Sequence, residues 1–309
     1  AAVSIHHEIC NQTKEQKTCV VCTKLSDPQG TPVAEWKEQV QIPAGNTVSC
    51  SMHGTIRDPK CWSPEHPDLY GMETWYETTD EDGKKISYLA DKQKVGIRVA
   101  EFDADRGFFL NGVPMKIKGV CVHHDAGCLG AAVTKEVWHR RFAKLKECGC
   151  NAIRCSHNPH MPELYELCDT MGFLVMDEAF DYWYRMKSPN SPYNRYFMQD
   201  FKVDTAAMVQ DAYNHPSVVI YSIGNEIPEA GGVKGVRVGK EIVDAIHALD
   251  TTRPTTLCPS VHWLREYLDG TPYLTTDEDE WMRDDPERKK SDWMHYASIF
   301  RSAVNNLPD

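Results

Sequence analysis

The feature that most narrows the fold is an alternation that begins near residue 105. Short apolar runs and amphipathic stretches follow one another about five times from there. Met115-Lys-Ile-Lys-Gly-Val reads as a first strand. Thr134 then opens a helix with Trp138, Phe142 and Leu145 on one stripe; Thr134 suits its N-cap and Gly149 its stop. Asn151-Ala-Ile-Arg-Cys reads as a second strand. Leu164, Leu167, Cys168 and Met171 recur at helical spacing and end at Gly172. Phe173-Leu-Val-Met is a third strand. A helix is expected over about 198–214, and Val218-Val-Ile-Tyr-Ser-Ile follows as a fourth strand. A last helix over about 236–249 aligns Val238, Ile242, Ala245 and Leu249, and Thr255-Thr-Leu-Cys is a weaker fifth strand.

Continuous apolar strands separated by helices indicate a parallel sheet covered on both faces. The chemically rich residues come just after the strands: His123-His124-Asp125, Ser156-His157-Asn158, Asp177-Glu178 and Asn225-Glu226. In a (β/α) barrel those loops form the catalytic face. A flavodoxin-like open sheet also alternates, but it usually carries a glycine-rich first turn, and none occurs here.

Residues 1 to about 100 follow a different rhythm. Alternating runs begin at Val3, Thr18, Glu38, Thr47, Met72 and Lys94. Turn chemistry separates them at Asp27-Pro-Gln-Gly, Pro43-Ala-Gly-Asn and Asp80-Glu-Asp-Gly. Strands at this spacing predict a β-sandwich. The domains are therefore placed at 1–104 and 105–309.

Charge and cysteine usage remove other classes. With 34 Lys+Arg against 45 Asp+Glu the net charge is −11, which opposes nucleic acid and anionic membranes. No apolar run approaches the ~20 residues needed to span a bilayer. Ala1 to Cys10 lack a signal-peptide pattern. The twelve cysteines contain one CxxC, Cys19-Val-Val-Cys22, in a strand-like run whose residues three apart face opposite ways. Cys148, Cys150, Cys155, Cys168 and Cys258 sit among apolar residues and read as buried free thiols. A reducing, cytoplasmic location is expected.

Each polar residue at the strand ends has two readings. Glu226, closing Ser222-Ile-Gly-Asn-Glu, suits a general acid whose pKa burial raises, or an acid capping the following helix. Asn225 suits a hydroxyl partner or a turn former. Arg154 inside an apolar strand needs a carboxylate, and Asp177, Glu178 or Glu226 could supply it. His123, His124 and His157 lack metal-ligand spacing and better suit hydroxyl groups. Trp183 and Tyr182 suit sugar stacking, or core. No GxSxG, Walker A or dinucleotide fingerprint occurs. Neutral hydrogen-bonding groups, aromatics and carboxylates together suit glycoside hydrolysis.

Several blocks in order resemble glycoside hydrolase family 2, the β-galactosidase, β-glucuronidase and β-mannosidase group. Cys61-Trp-Ser-Pro-Glu-His-Pro-Asp-Leu-Tyr looks like a segment of the family's immunoglobulin-like domain. Phe109-Leu-Asn-Gly-Val-Pro and the run from Gly119 to Asp125 look like the start of its barrel and the first barrel strand. Asn151-Ala-Ile-Arg-Cys-Ser-His-Asn-Pro resembles its N-x-x-R-x-S-H-x-P block. Phe173 to Phe180 resembles its third-strand block, and Asn214 to Glu226 its acid/base signature.

The resemblance implies an immunoglobulin-like β-sandwich followed by a partial (β/α)8 TIM barrel. It implies Glu226 as acid/base, Asn225 near the sugar 2-hydroxyl, and His123, Arg154, His157, Asn158 and Asp177 or Glu178 lining the subsite. His123-His-Asp-Ala-Gly-Cys-Leu-Gly-Ala-Ala looks most like the β-galactosidase type, with Cys121 where many members carry Asn. No cofactor is required, a divalent or monovalent cation staying open, and the expected partner is a β-linked galactoside or related oligosaccharide; the alternative readings are a β-glucuronidase or other β-glycosidase of the same family, or a non-catalytic sugar-binding fragment.

The family's nucleophile is a Glu after the seventh barrel strand. A full barrel takes ~250 residues, and about 200 follow residue 105. Residues 261–309 are highly charged, and Glu266, Asp277, Glu278, Asp279 and Glu280 read as solvated surface. A fragment of a retaining enzyme is therefore expected, inactive by itself, with self-association or the C-terminal tail covering its sheet edge.

Overall fold

The computed structural model describes residues 1–79, 82–185, 192–231 and 233–258. Asp80 and Glu81 of the expected turn Asp80-Glu-Asp-Gly, and the whole acidic run from Glu266 to Glu280, lie outside the described residues. The chain divides into two compact units, 1–99 with 110–112, and 100–109 with 113–309.

The first unit contains β1 (Ala2–Cys10), β2 (Lys17–Ser26), β3 (Pro32–Ile42), β4 (Thr47–Thr55), β5 (Tyr70–Thr79) and β6 (Lys85–Val95). β1 pairs with β4, and β3-β2-β5-β6 form a second antiparallel sheet. Alternation turns one face of each sheet inward. Ile5 and Met52 from the first sheet meet Val21, Val40 and Ile42 from the second in one apolar cluster. This is the immunoglobulin-like sandwich. Its sixth strand lies upstream of the expected run at Lys94, because most β6 side chains are exposed and leave no alternation to read.

The second unit opens with a small sheet of β7 (Ala100–Asp103), β8 (Gly107–Leu110) and β9 (Val113–Pro114). The parallel sheet follows as β10 (Gly119–His123), β11 (Ala152–Ser156), β12 (Leu174–Glu178), β13 (Val218–Asn225) and β14 (Thr255–Cys258), in that spatial order. Helices α1 (Lys135–Glu147), α2 (Pro162–Met171), α3 (Asn194–Ala212) and α4 (Val233–His247) alternate with its last four strands. The five-stranded order is that of consecutive βα units of a TIM barrel.

The core explains why these stretches became these elements. Trp138 and Phe142 of α1, Leu164 and Cys168 of α2, and Phe197, Phe201 and Met208 of α3 are buried together with Ile153, Val175, Val218 and Ile223 of the strands. Gly149 (φ +81°) and Gly172 (φ +72°) end α1 and α2 in the left-handed region that only glycine enters cheaply. Thr134 sits at the N-cap position of α1 but makes no side-chain capping bond. β10 begins four residues later than Met115, since 115–118 make no ladder. All twelve cysteines are free. Cys155 and Cys168 are buried as expected, whereas Cys148, at the C-cap of α1, is exposed. Among the described residues no helix is long and apolar enough to cross a membrane.

Candidate active site

The polar ends of the parallel strands converge on one buried carboxylate. Glu178 is the last residue of β12, and its side chain is fully buried. Arg154, the middle residue of β11, donates from Nη2 to Oε2 at 2.7 Å and to Oε1 at 3.0 Å, and from Nε to Oε2 at 3.1 Å. His157 Nδ1 lies 2.6 Å from Oε1, in the donating role that an acceptor-only carboxylate requires. Ser222 of β13 donates to Oε2 at 2.6 Å. A buried charge is tolerable only when paired and hydrogen-bonded in this way. For Arg154, burial alone would lower the pKa; the bonds and charge of Glu178 outweigh it and hold the guanidinium higher.

Parallel register brings these groups together. Arg154 faces Met176 across β11–β12, and Glu178 faces Ser222 across β12–β13. A register shift between Ser222 and Asn225 then carries Asn225 into the same cluster. Arg154 Nη2 donates to Asn225 Oδ1 at 2.9 Å, and Asn225 Nδ2 donates to Asp181 Oδ1 at 3.0 Å. The amide is held at both ends, so its orientation is set by its neighbours. Arg154 Nη1 also reaches the Cys121 sulfur at 3.6 Å.

His123, which ends β10, is exposed and sets its ring edge-on to His157 at 5.1 Å. Asn158 is exposed, and its Nδ2 donates to the Pro159 carbonyl. Glu226 directly follows β13 and is exposed, where burial was expected to act on it. Its backbone lies in the left-handed region at φ +49°, and its N–H donates to the Cys258 carbonyl at 2.6 Å.

Two expected residues are not in the cluster. Asp177 points to the opposite face of β12 from Glu178, as neighbours on a strand must. It is buried and accepts the Tyr165 hydroxyl at 2.9 Å. Burial pushes its carboxyl up to about 7, against the opposing pull of the Tyr165 bond. Trp183 is fully buried, stacks with Phe197 at 6.2 Å, and donates its indole N–H to the Ile223 carbonyl at 3.0 Å. Its ring belongs to the core and offers no face to a sugar.

Ser222 and Asp181 carry geometry that sequence reasoning missed. Sequence carried no signal for Ser222, which pairs with Glu178 only through the register of β12 and β13. Among the described residues no three His, Cys, Asp or Glu side chains converge as metal ligands do.

A pocket of about 520 Å³ adjoins the cluster, between the loops after β11 and β12 and the side of α3. His157, Asn158 and Asp181 lie on its wall.

Comparison with known proteins matches both units in chain order. Residues 1–98 match Glycosyl hydrolases family 2, and residues 103–269 match Glycosyl hydrolases family 2, TIM barrel domain. The chain is 42% identical over 229 residues to the beta-galactosidase BoGH2A of Bacteroides ovatus, covering 74% of this chain and 26% of that one. It is 29% identical over 264 residues to a beta-glucuronidase of Bacteroides fragilis, covering 83% of this chain and 35% of that one. A crystal structure of a family 2 member from Bacteroides cellulosilyticus superimposes with a TM-score of 0.75 at 34% identity, covering 87% of this chain and 35% of that one. The chain thus spans about a quarter to a third of the length of these relatives. With a sandwich and a parallel βα sheet each matching its counterpart in order, the chain belongs to glycosyl hydrolase family 2.

Proposed function

We propose that this chain carries the acid/base side of a retaining β-glycosidase site, and that the sugar it serves is a β-galactoside. The observation that carries this reading is the network in which Arg154, His157, Ser222 and Asn225 are locked on Glu178 and Asp181. It holds hydrogen-bonding groups rigidly at the strand ends, where a pyranose is recognised by its hydroxyls. Glu226 follows immediately and is exposed, free to protonate a leaving oxygen and later to activate water. The resemblance assigns it that role. Glu178 spends its oxygens on Arg154, His157 and Ser222, so it organises the site and is not an attacking group.

A neutral sugar is favoured over a glucuronide. A uronate carboxylate needs a cation, and the guanidinium of the cluster is already neutralised by Glu178. The relative at 42% identity is a beta-galactosidase, and relatives at 38% and 29% are a putative beta-glucuronidase and a beta-glucuronidase. The reading asks for no cofactor. A double displacement needs a second carboxylate ~5–5.5 Å from the first, and by the resemblance it follows the seventh barrel strand.

The test uses the 309-residue chain with a non-hydrolysable β-thiogalactoside and an aryl β-galactoside. The expected result is calorimetric binding of the first without hydrolysis of the second. Binding of a β-thioglucuronide in place of the galactoside overturns the substrate. Hydrolysis that Glu226→Gln abolishes overturns the division of labour between this chain and a separate nucleophile.

A further inference from the structure

The outward face of the β1–β4 ladder carries a histidine pair that the proposed chemistry does not use. Ile5 and Met52 are buried and lie opposite each other in the register, so alternation turns their neighbours His6 and His53 to solvent. Ser51 lies opposite His6, and Ser4 lies opposite His53. The histidines thus occupy diagonal corners of one four-residue patch, with the serines at the other two. Diagonal neighbours on an antiparallel pair are ~7–8 Å apart, within reach of long side chains. Here the two rings stand edge-on, with 6.3 Å between centres and 81° between planes.

Each ring is held through the same nitrogen. His6 Nδ1 lies 2.8 Å from Ser51 Oγ, and His53 Nδ1 lies 3.0 Å from Ser4 Oγ. When Nδ1 carries the proton and donates it to the serine, the lone pair is left on Nε2. Among the described residues the hydrogen bonds of both rings run through Nδ1 and none through Nε2. Metal-ligating histidines are arranged in this way: the second ring nitrogen donates to an oxygen, which fixes tautomer and orientation. The strand beneath is anchored as well, since Trp36 of β3 donates its indole N–H to the His53 carbonyl at 3.1 Å.

Two imidazoles on one ion, each ~2.0–2.1 Å from it through nitrogen, have ring centres ~5–6 Å apart, so a small rotation of the exposed rings closes a chelate. The flanking outward positions on the two strands hold Glu8 and Ser49 and no lysine or arginine. The net charge of −11 further favours a cation. His7 turns to the opposite face, where its Nε2 lies 3.0 Å from Thr23 Oγ1, so water completes the coordination.

We infer that His6 and His53 form a two-histidine site for a divalent transition-metal ion of the imidazole-preferring class, such as zinc or nickel, and that Ser4 and Ser51 orient the two ligands. The site belongs to the sandwich and stands independently of the glycosidase reading.

The experiment titrates the 309-residue chain with nickel(II) by calorimetry. Other histidines and cysteines also hold nickel, so the site is read as the binding that the His6→Ala/His53→Ala double variant lacks. That difference is expected to be one ion per chain. His6→Ala and His53→Ala should each weaken it at least tenfold, and the double variant should lose no more than either. Ser51→Ala should weaken it about tenfold. Calcium(II), which prefers oxygen ligands, should bind the parent and the double variant alike. All four side chains are exposed, so metal-free variants should unfold at the same urea concentration as the parent. No difference between parent and double variant, a difference of two ions per chain, or a loss of less than tenfold in either single variant overturns the chelate. Unchanged affinity in Ser51→Ala overturns the orienting role, and histidine-dependent calcium binding overturns the class of metal.

Discussion

Glu226 illustrates how a residue is kept where its own backbone disfavours it. At φ +49° a side chain with a Cβ is strained by up to about 1 kcal/mol relative to glycine. The side chain is exposed, so no packing offsets that strain. Glu226→Gly should raise stability by up to about 1 kcal/mol in urea denaturation, whereas Glu226→Ala, which keeps the Cβ, should not. Equal stability of both variants and the parent would remove the strain argument. Asp177 shows the second side of residue-level chemistry. Its folded pKa of about 7 lies above the ordinary carboxylate value, so the folded state holds the proton more tightly than the unfolded chain. Its burden is absent below about pH 4, grows as pH rises, and is complete above about pH 7. Asp177→Asn removes that titration. Relative to the parent, the variant should gain of order 2 kcal/mol between pH 5 and pH 8, and an unchanged difference across that interval would refute the assignment. Sequence alone singled out Asp177 and Glu178 as a pair. It could not say which of the two faces the helices, because the parity of a short apolar strand is set by its neighbours. Trp183 was ambiguous for a related reason, since an aromatic after a strand serves a core and a sugar equally well.

At the scale of elements, the turn that follows Glu226 is held by a close approach of two backbones. The 3₁₀ helix Pro228–Gly231 lies against α4, and a Cβ added at Gly235 would come within 1.7 Å of the Glu229 carbonyl oxygen. Glu229 in turn accepts the Arg185 N–H at 2.7 Å, tying the loop after β12 to the turn after β13. Replacing an interior helical glycine by alanine ordinarily stabilises by about 1 kcal/mol. Here the sign should reverse: Gly235→Ala should cost about 1–3 kcal/mol, because backbone must move to admit the methyl group. Thermal and urea unfolding that show a gain would contradict the packing. The periodic elements were legible because one face of each is buried. α2 was read to its last turn from four apolar positions and a glycine. α3 was read one turn short: its first buried residue, Phe197, lies just upstream of the expected start, and Tyr193 at the N-cap makes no side-chain capping bond to mark it. β6 and β10 were displaced or missed because most of their side chains are exposed, leaving pairing partners rather than pattern to define them. The site followed the same logic. Its strand-end groups were visible, while Ser222 and Asp181 became functional only through register.

For the whole molecule, the parallel sheet leaves a question of edges. β10 pairs with β11 on one side, and among the described residues nothing pairs with its other side. The strand Gly119–His123 carries no lysine, acidic residue or proline to discourage a partner, and Val120 on it is 36% exposed. Unprotected edges of this kind recruit further strands. The net charge of −11 opposes association through mutual repulsion, and salt screens that repulsion within a Debye length of about 10 Å at 0.1 M. The 309-residue chain should therefore associate reversibly, more strongly at high salt than at low. Val120→Lys should shift it toward monomer by placing a solvated charge on the edge. Sedimentation velocity across a concentration series reads both effects. Hydrogen exchange separates the alternatives. A monomer whose β10 amides are protected has its edge covered by the chain itself. A monomer whose β10 amides exchange freely shows an open edge that recruits nothing, and that result would exclude edge pairing as the source of any association.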